Sequence, residues 1–203
     1  MLSYMDCDYL VFGSETNNID LLTKTQSEVD RIIWNKNKLN EETRKYLSNL
    51  PYCYEFYMSG RFVRLVHAHP EKIDKFAGNI DKIDRLYELF LPSSNTISDK
   101  KADILIYGHI HTQYVQKIYN RMIINIGSVG IAIDVFRNDE KDGDVKNTTV
   151  ANYLILSGNF DSKNIDEKIS YELVCVPYDI DKELNDNDDN IEFESYEEEI
   201  RKG

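Results

Sequence analysis

Positive charge is scarce in this 203-residue chain: 24 Lys and Arg face 36 Asp and Glu, leaving a formal −12 and an isoelectric point near 4.8. That balance is opposite to the footprint of a protein that coats DNA or RNA. Cysteine is also scarce. Cys7, Cys53 and Cys175 are odd in number, far apart and without CxxC spacing, which excludes a disulfide scaffold and suits reduced thiols in a cytoplasmic protein. No apolar run approaches the roughly 18 residues that a membrane span requires. The first 30 residues show no basic segment followed by an apolar stretch. The single tryptophan, Trp34, has no flanking basic patch and offers no base-stacking platform.

What negative charge there is concentrates at one end. Residues 179–203 hold 11 acidic and 3 basic side chains and so carry −8 of the −12. With so few apolar residues, this segment cannot offset its ordering entropy by burial. It reads as an acidic, mobile tail over 181–203 behind one domain over 1–180, with a short helix near 195–201 as an option.

Within the domain, apolar residues at helical spacing predict a helix over 20–38. A second is predicted over 41–50, capped by Asn40 and stopped by Pro51. Residues 52–57 and 61–67 are rich in aromatic and β-branched types and flank Met58-Ser59-Gly60, a hairpin pattern. A helix is expected over 79–90. The run Ala-Asp-Ile-Leu-Ile-Tyr over 102–107 reads as a buried strand. A further hairpin is predicted from 114–119 and 122–126 over Asn120-Arg121, and two more strands over 152–157 and 171–177. The polar segment 138–149 reads as a loop.

All four histidines fall in two short clusters, His67/His69 and His109/His111, each just after a predicted apolar strand. Neutral imidazole is a common ligand for first-row divalent metals, and adjacent strand ends can converge several imidazoles on one ion. Gly108 is expected to let the backbone turn sharply ahead of His109. The plainer reading, that each pair lines a strand or loop, also stands, with solvent exposure the default for His69.

Gly108-His109-Ile110-His111 followed by Asn125-Ile126-Gly127-Ser128-Val129-Gly130 resembles the GHxH and NPGS blocks of the calcineurin-like metallophosphoesterases. The similarity is to the small bacterial and archaeal phosphodiesterase branch. Val66-His67-Ala68-His69-Pro70 resembles the block with that branch's isolated metal-binding histidine, and Tyr4-Met5-Asp6-Cys7-Asp8-Tyr9 its Gly-Asn-His/Cys-Asp block. The resemblance implies an α/β fold, a four-layer αββα sandwich with two mixed β-sheets and a dinuclear metal site at the strand ends. It also implies that His67 and His109 bind one metal and His111 the other. Asp6 takes the place of a ligating Asn, and Cys7 that of the histidine that protonates the leaving group. His69 is placed to touch phosphate, to join the metal shell or to lie exposed. Gly108, Asn125, Gly127 and Ser128 shape the site; Ser128 has no Gly-x-Ser-x-Gly frame.

The family's Asp-x-His and Gly-Asp blocks have no counterpart ahead of Asp6, so the expected domain is truncated at its N-terminus and lacks the carboxylate that bridges two metals. The implied cofactor is a divalent ion, Mn or otherwise Fe, Zn or Ni: two in the complete family site, one or none in this chain. The implied substrate is a small phosphate ester, hydrolysed only when the missing half is supplied by an upstream-encoded segment or by association. Two alternatives stay open: a non-catalytic scaffold with a degenerate site, and a mononuclear metal-binding protein. Neither nucleic acid nor membrane is an expected partner.

Overall fold

The structure is a computed structural model that describes residues 26–72, 75, 77–78, 80–138, 141–186, 194, 197 and 200–201. Asp6 and Cys7 lie outside the described residues. The elements run α1 (Gln26–Lys38), α2 (Glu41–Ser48), β1 (Cys53–Met58), β2 (Arg61–Val66), α3 (Ile83–Glu88), β3 (Ile104–Tyr107), β4 (Gln113–Ile118) and β5 (Arg121–Ile126). There follow β6 (Ala132–Asn138), β7 (Lys141–Thr148), β8 (Val150–Ser157), β9 (Ser170–Pro177) and α4 (Ile180–Asp186). Among the described residues no helix is long and apolar enough to cross a membrane.

The chain divides into two units. In the smaller, the side chain of Asn40 caps α2 by accepting from the Thr43 amide at 2.8 Å, as its sequence position predicts. The Arg44 guanidinium donates to the Lys36 carbonyl at 2.7 Å and ties α2 to the end of α1. The tail expected to be mobile is helical over its described start, Ile180–Asp186.

The larger unit, residues 52–180 for the most part, is built on a mixed five-stranded sheet in the order β1-β2-β3-β5-β4. Two hairpins flank a central parallel pairing of β2, β3 and β5. Each hairpin turns through two residues of positive φ, Ser59 and Gly60 in the first and Tyr119 and Asn120 in the second, the geometry that matches strand twist in two-residue loops. The second turn thus falls one residue earlier than expected. Pairing Ile118 with Arg121 buries Ile118 in the core and leaves Arg121 free to reach Asp103.

Every residue of β3 is buried, because the sheet is covered on both faces. On one face Leu86, Leu89 and Phe90 of α3 and its C-terminal turn pack against Val66, Leu105, Tyr107 and Ile123. On the other, Leu154, Leu156 and Leu173 of the antiparallel β8–β9 pair pack on Val63, Ile104, Ile106 and Ile124. Helix, mixed sheet and second sheet are three layers of the expected sandwich, the second sheet being, among the described residues, the antiparallel β8–β9 pair. The segment expected to be a loop over 138–149 instead pairs as β7 with β6. Pairing of a two-stranded ribbon runs through backbone groups, so a polar sequence without alternation does not exclude it. Helix α3 is shorter than the predicted 79–90, and Lys82 before it makes no side-chain cap.

Candidate functional site

Parallel pairing of β2 with β3 and of β3 with β5 puts the carboxyl ends of three neighbouring strands side by side, where open α/β sheets bind ligands. The sequence places His67 after β2, Gly108-His109-Ile110-His111 after β3 and Gly127-Ser128 after β5. The Gly108 amide donates to the His67 carbonyl at 3.0 Å, continuing the β2–β3 pairing into the first two loops. Asn125, fully buried, joins the second to the third: its amide donates to the Gly108 carbonyl, and its side-chain oxygen accepts from the Gly127 amide at 2.9 Å.

The result is a histidine pair. Nδ1 of His109 lies 3.2 Å from Nε2 of His67, with the rings edge-on at 76° and their centroids 5.1 Å apart. With metal–nitrogen bonds of about 2.0–2.1 Å, two imidazole nitrogens on one octahedral or tetrahedral ion stand about 2.8–3.4 Å apart. The two nitrogens are therefore spaced either to share a proton or to share an ion. Burial lowers the pKa of His109, and neighbouring His111 lowers it further, which favours the neutral imidazole that a metal requires. His111 is not drawn into the pair. Burial lowers its pKa as well, opposed by a hydrogen bond with the Ile131 backbone, while its own carbonyl accepts from Ile133 at 3.2 Å. Among the described residues no three His, Cys, Asp or Glu side chains form a group that could hold a metal ion. Two donors fit a divalent ion, and a complete ligand set is not among these residues.

The sharp turn expected of Gly108 is made elsewhere. His109 and His111 take positive φ, 59° and 58°, a left-handed conformation that costs an L-residue roughly 1–3 kcal/mol and clusters at functional sites. Gly108 itself has no positive φ, and a methyl there would meet only the His67 carbonyl oxygen, at an ordinary 3.8 Å. Gly127 is the constrained glycine: its φ is +77° and a Cβ would fall 2.6 Å from the Asn152 side chain. Ser128 is buried and structural in its contacts, its hydroxyl accepting from Ile131 at 3.3 Å and its carbonyl from Asn152 at 2.8 Å. Sequence reasoning missed Asn152, which fills the space beside Gly127. The signal was a polar residue on the inward phase of β8, in line with Leu154 and Leu156.

His69 corrects the expectation of exposure. It is 4% exposed, between buried Ala68 and buried Pro70, and the Tyr52 hydroxyl donates to its carbonyl at 2.7 Å. Its Nδ1 accepts from the Glu71 amide at 3.0 Å, and its Nε2 meets no hydrogen-bond partner among the described residues. Burial lowers its pKa, reinforced by the positive charge of Lys75.

No family model matches the chain. It is 30% identical over 190 residues to an uncharacterized protein of Methanocaldococcus jannaschii, covering 86% of this chain and 64% of that protein, so it spans just under two thirds of that relative's length. Its structure is similar to that of a metallophosphoesterase from Sphaerobacter thermophilus, with a TM-score of 0.58 and 17% identity over 97% of this chain and 74% of the other. A hypothetical protein from Pyrococcus horikoshii gives a TM-score of 0.57 at 16% identity, over 97% of this chain and 69% of that one. The chain has the α/β fold seen in that metallophosphoesterase.

Proposed function

We propose that this chain carries the histidine part of the metal centre of a phosphoesterase, which hydrolyses a phosphodiester or phosphomonoester with a metal-activated water. The observation that carries the reading is the His67–His109 pair, spaced for one ion at the carboxyl ends of β2 and β3. A divalent ion such as Mn, or Fe, Zn or Ni, lowers the pKa of its bound water and polarises the phosphate. His67 and His109 hold the ion, and Asn125 keeps the two loops beside it in register. Asp6 is the candidate oxygen ligand and Cys7 the candidate proton donor to the leaving group. A dinuclear centre needs carboxylate ligands beside these histidines, and in this reading hydrolysis waits on them. The same reading places the protein in the cytoplasm, with Cys53 and Cys175 as free thiols.

The test is metal content by elemental analysis of the purified chain after incubation with Mn²⁺ or Zn²⁺. About one ion per chain is expected, lost in His67→Ala and in His109→Ala. A metal-free parent, or equal loading in the double variant, sinks the proposal. The scaffold reading has one observation in its favour, the lack of a three-ligand group among the described residues. A monodisperse, metal-free chain that binds a protein partner would support it.

A further inference from the structure

The left-handed backbone of His109 and His111 persists only where the surrounding structure over-determines it, and the fold grips the residue between them. Ile110 packs against the buried cluster on the α3 face of the sheet that contains Ala77 and Tyr107. Its Cδ1 lies against Gly78, where a Cβ would stand only 3.3 Å from it. The Ala77–Gly78 backbone is in turn fixed from two sides. The Gly78 amide donates to the Asp81 carboxylate at 2.8 Å, and its carbonyl accepts from the Asp81 amide at 2.9 Å. The Ala77 carbonyl accepts from the Tyr107 hydroxyl at 2.6 Å. Tyr107 has one proton to give, so the Tyr114 hydroxyl, 2.5 Å away, donates to Tyr107. Both tyrosines pair with Asn125 in register, one from β3 and one from β4. The hydroxyl chain therefore stands on the last rung that these three strands share before the histidine loop.

We propose that Tyr107 and Tyr114 are positioning residues for the metal centre: their hydroxyl chain holds Ala77 and Gly78 as a socket for Ile110, and the seated Ile110 fixes His109 with its Nδ1 at His67. The inference rests on the phosphoesterase reading for the use of the histidine pair, and adds the residues that set the pair's geometry. Phenylalanine at 107 and 114 would fill the same core volume, so the two phenol oxygens serve the bonds they make. Those bonds end on the segment that touches Ile110. A chain of buried, satisfied hydroxyls rigidifies one arrangement where apolar packing alone would allow several. Rigidity matters here because an imidazole at the end of its side chain turns a small backbone rotation into a change of the 3.2 Å nitrogen spacing. That spacing decides whether His67 and His109 can share one ion.

The test reads the metal-free full chain by NMR with ¹⁵N-labelled histidine, with Zn²⁺ affinity measured alongside. His67→Ala supplies the His109 ring signals without the bond between the rings. Tyr107→Phe is expected to move the His109 signals toward those values and to weaken Zn²⁺ binding about ten-fold. Tyr114→Phe, which keeps the bond from Tyr107 to Ala77, is expected to act in the same direction by about three-fold. Ile110→Ala empties the socket and should produce the same displacement; adding Tyr107→Phe to it should change neither readout further, because the tyrosines act through Ile110. Ser59→Ala is the control for a purely structural loss. It removes a buried hydroxyl bonded to the Lys168 carbonyl at 2.7 Å, at the opposite end of β2, and is expected to lower stability with both readouts unchanged. The proposal is overturned if the tyrosine variants and Ile110→Ala leave the His109 signals as in the parent, if their effects add in the double variant, or if Ser59→Ala moves the signals as far. A parent that binds no Zn²⁺ removes the phosphoesterase reading, and the ring signals of the metal-free chain still decide whether the tyrosines place His109.

Discussion

The three parallel strands have two ends that handle polar groups in opposite ways. At the amino ends the Asp103 amide donates to the Phe62 carbonyl at 2.8 Å, and its carboxylate accepts from the Phe62 amide at 3.0 Å and from Arg121 at 2.9 Å. The Asp103 carbonyl accepts from Met122 at 2.9 Å. One aspartate thus fastens β2, β3 and β5, and its polar groups are taken up by the fold. At the carboxyl ends two histidines sit in left-handed backbone, two imidazoles face each other, and the Nε2 of a third has no hydrogen-bond partner among the described residues. Polar groups matched to one another build architecture; polar groups kept in excess of what the fold uses are available to a ligand.

The largest expected effect lies on the matched side. Arg64, fully buried, donates to Glu55 at 2.6 Å and to the carbonyls of Phe90, Leu91 and Lys100. Arg64→Leu strands the buried Glu55 charge and should cost about 3–5 kcal/mol, read as a fall in the urea midpoint. Next comes Gly127→Ala, which sets a side chain in left-handed backbone against Asn152. A loss of about 1–3 kcal/mol is expected, with weaker metal binding because the loop after β5 must shift.

A smaller effect comes from pH. His69, His109 and His111 all have folded pKa values below 6.5 because burial penalises the charged ring. Between those values and 6.5 the unfolded chain binds more protons, so stability rises with pH. Their contribution is fully present above about 6.5 and is lost as pH falls through the folded values. The metal-free chain should therefore melt at a lower temperature at pH 5.5 than at pH 7.5, and an unchanged melting temperature would contradict the burial of these rings.

The smallest effects make the sharpest comparison. His109→Gly relieves left-handed strain and loses the bond to His67, each roughly 1 kcal/mol. Stability should stay within about 1 kcal/mol of the parent while metal binding is abolished. Gly108→Ala, one residue earlier, should change stability by less than about 0.5 kcal/mol and leave metal binding intact. A change that spares the fold and removes the ion would assign His109 to function.

Much of the fold was legible because it is local. The Asn40 cap, the Ser59-Gly60 turn and the all-apolar β3 follow from neighbours in the chain, and the two histidine clusters stood out as the chain's only histidines. The β6–β7 ribbon was not legible, because its backbone pairing does not need the apolar alternation by which strands are recognised in sequence. His69 was misread as exposed since Tyr52, Ser93 and Asn95, which hold its loop down, come from other elements.

The sequence by itself determined which residues could form strands, where chains turn, and that imidazoles would gather after apolar strands, since these depend on propensity and spacing along a few residues. Only the tertiary structure decided that His67 meets His109 while His111 turns to the Ile131 backbone, and that left-handed strain falls on the histidines instead of Gly108. It alone decided that His69 is buried. Those outcomes depend on the parallel register of β2, β3 and β5 and on which distant groups supply partners, and side-chain spacing in one strand does not encode the position of another.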